Sequence, residues 1–142
     1  MHVGLTLSYS SMVIDHLLSQ YGELRVAYVY CDYRDQTNQS LANILSSILG
    51  QLLTATTNIP EAVVGILEAL QKDGKRLELS DVSRMLKLTI PQVATDPVGL
   101  FLCIDALDEL EPRVRLGLLE ALQSEFGGTR IFLRPTSYRI GC

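Results

Sequence analysis

The stretch Leu100–Leu110 constrains this chain more than any other. Leu100-Phe101-Leu102-Cys103-Ile104 is an unbroken apolar run; it ends in Asp105, and Asp108 and Glu109 follow closely. A short apolar run bounded by turn signals predicts a strand buried on both faces, the kind found inside parallel sheets. Asp105 then stands at the carboxyl end of that strand, where open α/β sheets bind their ligands. A carboxylate there suits Mg²⁺, which is commonly held by one or two carboxylates together with substrate phosphates. Asp108 and Glu109 would project just beyond it, within reach of a water attacking such a phosphate. The plainer reading is a core strand that meets solvent and runs into an acidic helix start, and the run by itself leaves both open.

The rest of the chain alternates between strand and helix patterns. From Ser8 or Ser10, the residues Met12, Val13, Leu17 and Leu18 form one apolar helical face up to Gln20, and Gly22 is a stop signal. Arg25–Cys31 is β-branched and aromatic, a strand, with Tyr28 and Tyr30 most simply packing residues. The polar loop Asp32–Gln36 follows, its charges either solvated or sensing a bound ligand. Ser40 is a candidate N-cap for the clearest amphipathic helix, carrying Leu41, Ile44, Leu45, Ile48, Leu49, Leu52 and Leu53. Pro60 suits a first helical position, and Val63, Ile66, Leu67 and Leu70 lead to a stop at Asp73-Gly74. Ser80 caps a shorter helix with Val82, Met85 and Leu86, and Thr89–Pro97 is a loop. Pro112 opens a helix that ends at Gly127-Gly128, and Thr129–Leu133 is a further strand. This order predicts an α/β fold with a parallel sheet and helices on both faces.

At 142 residues and 47% hydrophobic content, the chain can bury one sizeable core, a single domain over 1–142. A net charge of −4 argues against a nucleic-acid footprint. No apolar run reaches the roughly 18 residues of a membrane span, and no secretory pattern opens the chain. The three cysteines, Cys31, Cys103 and Cys142, lack metal-ligand spacing. Their odd number points to a reducing, cytoplasmic setting. His16 on a helix is a surface or half-buried residue, His2 lies near a terminus, and Ser10 and Ser11 are helix-start residues with no histidine spaced to activate them.

Several segments resemble one family in one order. Cys103-Ile104-Asp105-Ala106-Leu107-Asp108-Glu109-Leu110 resembles the Walker B segment of NACHT-type NTPases, a branch of the signal-transducing (STAND) P-loop ATPases. Ser10–Leu17 resembles the helix after the phosphate loop in fungal nephrocystin-like members. Cys31–Gln36 with Gln39-Ser40 and Asn43–Leu45 resembles the segment after their second strand, and Thr129–Leu133 the strand after Walker B. The resemblance implies a three-layer, five-stranded P-loop sheet in which the phosphate-loop strand lies beside the last strand present here. It implies ATP or GTP binding with Mg²⁺ and slow hydrolysis, used as a switch controlling self-association and signalling. Full-length relatives of this kind carry ankyrin or WD repeats and an effector domain. Carried over by position, Asp105 would hold Mg²⁺, Asp108 and Glu109 would orient or deprotonate the attacking water, and Arg134 would sense the γ-phosphate.

The front of the chain departs from that pattern. A phosphate loop needs glycines whose backbone N–H groups wrap the phosphates, a lysine on the β/γ oxygens and a Ser/Thr on Mg²⁺. Met1–Tyr9 contains one glycine, Gly4, and either Thr6 stands at the lysine position or Gly4-Leu5-Thr6 replaces Gly-Lys-Thr. The first lysine in the chain is Lys72. Losing one well-placed electrostatic partner typically costs about 3 kcal/mol or more in the transition state, so hydrolysis by this chain alone is not expected. The strand before the loop and the fifth strand are both expected to be missing, which would leave Thr129–Leu133 as an exposed edge. Leu133 runs directly into Arg134-Pro135, so Arg134 is equally a plain loop arginine. Three readings follow: part of a nucleotide switch, a non-catalytic interaction module on the same scaffold, or a truncated non-functional fragment.

Overall fold

The computed structural model describes residues 2–5, 26–32, 34, 39–56, 58–93, 100–127 and 129–134, with the backbone alone at 2–5, 55, 132 and 134. Strands β1 (His2–Leu5), β2 (Val26–Tyr30), β3 (Phe101–Asp105) and β4 (Arg130–Arg134) form a four-stranded sheet in the order β1-β4-β3-β2. Every neighbouring pair is parallel. Helices α1 (Leu41–Ala55), α2 (Glu61–Asp73) and α3 (Leu79–Val93) lie between β2 and β3, and α4 (Pro112–Glu125) lies between β3 and β4.

Two expectations about the sheet are corrected. The strand beside β4 is present, formed by His2–Leu5, and β4 is an interior strand flanked by β1 and β3. Among the described strands the edges are therefore β1 and β2. The four-residue β1 was too short to announce itself as a strand by alternation, and it is defined by its pairing with β4.

The four described helices form one layer. The steps β2→β3 and β3→β4 move across the sheet in the same direction, and right-handed crossovers then place their helices on the same face. Accordingly, α1 packs against β2, α3 and α4, while α3 packs against α2 and α4. Ala27, Val29, Cys31, Leu102, Ile104 and Ile131 join the buried cluster with Ile44, Leu45, Ile48, Leu52, Met85, Leu86, Leu118 and Leu122. Alternation sends Phe101, Cys103 and Asp105 to the opposite face. Phe101 and Cys103 are buried there, and the Arg130 guanidinium lies 5.4 Å from the Phe101 ring centroid. Any helix on that face falls outside the described residues.

The local signals explain most helix ends. The Ser40 hydroxyl accepts the Asn43 N–H at 3.1 Å, capping α1. Pro60 is the N-cap of α2, and Gly74 ends it in the left-handed conformation at φ 63°. Pro112 occupies the first turn of α4. Helix α3 is the exception: it starts at Leu79 rather than after Ser80, and it continues through Pro91 to Val93. Asp81 accepts the Glu78 N–H at 3.0 Å at its start. Thr89, Ile90 and Val93 are buried, so packing carries the helix through a proline that would otherwise end it.

Candidate functional site

The carboxyl ends of the strands carry the predicted acids. Asp105 is the last residue of β3, in backbone register with Tyr30 of β2 on one side and Arg134 of β4 on the other. Leu5, the last residue of β1, stands in register with Leu133, one row below. The path from β1 to β2 crosses the sheet in one direction and the later steps return in the other. Open α/β sheets bind ligands outside the carboxyl ends where the winding reverses. That crevice lies between β1 and β4, and Asp105 stands one strand away from it, on the far side of β4.

The chain turns sharply after Asp105. Ala106 adopts the left-handed conformation (φ 61°, ψ 41°) and leads into a single 3-10 turn over Leu107–Glu109. The turn is closed by the Glu109 N–H donating to the Ala106 carbonyl at 2.9 Å. It separates the two acids predicted to act together: Glu109 is buried at 7% exposure, whereas Asp108 is exposed. Asp105 is itself buried, at 9%.

Tyr28, read from the sequence as a packing residue, reaches this site. Its hydroxyl donates to Asp105 Oδ2 at 3.3 Å. The signal was available in principle: residues i and i+2 on a strand share a face, and Tyr28 lies two before Tyr30, the register partner of Asp105. Which strand lies beside β3 is a tertiary fact, and without it the pairing could not be read.

Burial pushes the Cys31 thiol from 9.0 up to about 12, and the nearby Asp105, Glu109 and Asp108 carboxylates raise it further in that order. Beyond β2, Asp32 and Arg34 form an exposed ion pair, with Arg34 Nη2 2.8 Å from Asp32 Oδ2. Hydrogen bonds from the Arg34 side chain and backbone hold the Asp32 carboxyl below its ordinary range. These two charges satisfy each other in solvent.

The remaining predicted residues divide in three. Gly4 lies within strand β1, in register with Phe132, rather than in a loop. Arg134 is likewise a strand residue beside Asp105, not a loop arginine. Thr6, Ser10, Ser11, His16 and Asp35 lie outside the described residues, as does the helix predicted over Ser10–Gln20.

A divalent ion can be tested against this donor set. Among the described residues, no group of three or more His, Cys, Asp or Glu could hold a metal ion. A single strand-end carboxylate suits only an ion that takes most of its ligands from phosphates and water, which is the usual situation of Mg²⁺. Among the described residues Asp105 by itself therefore makes no site for a free divalent ion.

The family profile described as Nephrocystin 3, N-terminal matches residues 7–134. The chain belongs to the nephrocystin-3 N-terminal family. No curated protein matches it. The nephrocystin-3 N-terminal match includes β2, β3, β4 and all four described helices, and so contains the Asp105 turn. Among the described residues of this nephrocystin-3 N-terminal domain, no helix is long and apolar enough to cross a membrane.

Proposed function

We propose that this nephrocystin-3 N-terminal domain is the scaffold of a nucleotide-responsive signalling switch of P-loop, NACHT-like type, one that does not turn nucleotide over on its own. The observation that carries this reading is Asp105, a buried carboxylate ending an interior strand of a parallel sheet, at the carboxyl edge where such sheets bind ligands. In this reading Asp105 faces a Mg²⁺–ATP or Mg²⁺–GTP complex, and Tyr28 orients its carboxylate. When bound, the ion supplies positive charge to the phosphates. Glu109 is the water-orienting acid, because the 3-10 turn keeps it buried near Asp105, and Asp108 contributes charge from the solvent side. The cytoplasm is the proposed setting, and repeat or effector domains are the proposed partners.

Leu5 or Thr6 standing where the resemblance places the phosphate-loop lysine supports the non-hydrolysing part. Without that group, little opposes the negative charge on the transferred phosphoryl. The same observation favours a second reading, a protein-interaction module that keeps the scaffold and has lost nucleotide.

Titration with a fluorescent ATP or GTP analogue, with and without Mg²⁺, separates the two. The switch reading expects Mg²⁺-dependent binding weakened by Asp105→Asn. Absent binding leaves the interaction module, and binding indifferent to that substitution removes Asp105 from the site. Phosphate release from Mg-ATP that Glu109→Gln abolishes would overturn the non-hydrolysing assignment.

A further inference from the structure

Among the described strands β2 is an edge of the sheet, and four of its outward main-chain groups meet two glutamine side chains. Along a strand, successive residues direct their N–H and C=O groups to alternate sides. Cys31 turns its N–H inward, donating to the Asp105 carbonyl of β3 at 2.9 Å. Tyr28, Tyr30 and Asp32 lie in the alternate positions. The Tyr28 N–H donates to Gln51 Oε1 at 2.9 Å, and Gln51 Nε2 donates back to the Tyr28 carbonyl at 2.8 Å. Further along, the Asp32 N–H donates to Gln39 Oε1 at 2.9 Å, and Gln39 Nε2 donates to the Tyr30 carbonyl at 3.0 Å.

Each primary amide offers one planar acceptor and a donor, the set a peptide group offers a neighbouring strand. Gln51 closes on both groups of a single residue, as an antiparallel partner does. Gln39 spans a carbonyl and the N–H two residues on, as a parallel partner does. Both side chains are held by the same helix. Gln51 follows the buried Ile48 and Leu49 of α1 and precedes the buried Leu52, and Gln39 immediately precedes the Ser40 cap. The core packing of α1 thus fixes where the two amides meet the strand.

We infer that Gln39 and Gln51 form a side-chain guard on the β2 edge, occupying the Tyr28, Tyr30 and Asp32 main-chain groups named above, through which a second copy of this chain would otherwise add a strand. An edge strand with unpaired N–H and C=O groups is a template for such pairing, and natural sheets block it by several devices. Here the device is a pair of amides that substitute for the missing neighbour.

The test compares the full chain with its Gln39→Met/Gln51→Met variant, in which methionine keeps the side-chain length and loses both hydrogen-bonding groups. In dilute solution the Tyr28 and Asp32 amide hydrogens of the variant should exchange at least about fivefold faster than in the parent chain. As concentration rises, light scattering should show the variant gaining mass that the parent chain does not. Unchanged exchange at Tyr28 and Asp32, or a mass that tracks the parent at every concentration, overturns the inference. Should the variant fail to fold, the parent chain still decides the matter: Tyr28 and Asp32 amides exchanging at unprotected rates would show that no guard is present.

Discussion

The main-chain N–H of Cys31 donates to the carbonyl of Asp105 at 2.9 Å, so the residue that follows β2 is fastened to the residue that ends β3. That bond holds a thiol beside the acidic mouth of the sheet. It also makes Cys31 a reporter on the site, because every carboxylate there disfavours its thiolate.

Both described cysteines should be inert while the chain is folded. Burial and the neighbouring carboxylates raise the Cys31 thiol to about 12, and burial with Asp105 raises Cys103 to about 11. Residue-resolved mass spectrometry after treatment with a thiol alkylator should find both unmodified in the native chain at about pH 8, and both modified in urea. The sign of the linked pH effect follows. The unfolded thiols ionise near 9.0 and the folded ones only near 11 to 12, so their stabilising contribution is complete below 9 and is lost as pH rises through that window. Urea midpoints should fall between about pH 8 and pH 10.5, and more gently in a Cys31→Ala/Cys103→Ala variant. Equal slopes would refute the linkage.

Ala106 should tolerate glycine and reject a branched residue. Its left-handed backbone at φ 61° costs a side chain about 1 kcal/mol or more, which glycine avoids. Its methyl is buried at 3% exposure, and losing it gives back about 0.8 kcal/mol. Ala106→Gly should therefore shift stability by less than about 0.5 kcal/mol, whereas Ala106→Val should lose at least about 2 kcal/mol by urea denaturation. A valine variant as stable as the parent would show that the turn is not built as described.

Glycines in helices should respond according to their surroundings. Gly65 lies in the middle of α2 with nothing near the space a Cβ would fill, so Gly65→Ala should stabilise by about 0.5–1 kcal/mol. At Gly117 of α4 the same substitution would bring a Cβ to 2.8 Å from Leu41 Cδ2 of α1. Leu41 must move aside, so the gain there should be smaller. Gly74→Ala should destabilise by about 1 kcal/mol, because φ is 63° at that helix end. Thermal melts of the three variants should rank in that order.

A buried hydroxyl in α3 offers the opposite kind of test. Thr89 is fully buried and its Oγ1 meets no hydrogen-bond partner. Leaving such a group unsatisfied costs about 1–3 kcal/mol, so the near-isosteric Thr89→Val should stabilise the chain by about 1 kcal/mol. A loss on chemical denaturation would mean that the hydroxyl is bonded in solution, with an ordered water as the natural partner.

Local chemistry determined much of this protein from sequence alone. The uninterrupted apolar run before Asp105 made β3 a buried strand, Ser40 and Pro112 marked helix starts, and Gly74 marked a helix end, since each of these acts on its own backbone or its nearest turn. The acids Asp105, Asp108 and Glu109 were legible as a group for the same reason. The tertiary structure alone decided what depends on which segments meet. It put His2–Leu5 beside β4 and made β4 interior, carried α3 through Pro91 because Ile90 and Val93 are buried, and divided the acids into buried Asp105 and Glu109 and exposed Asp108. It also brought Tyr28 to Asp105, and Gln39 and Gln51 to the strand edge. Strand order and side-chain contact are long-range properties, set by how the whole core closes, and no local pattern in the chain encodes them.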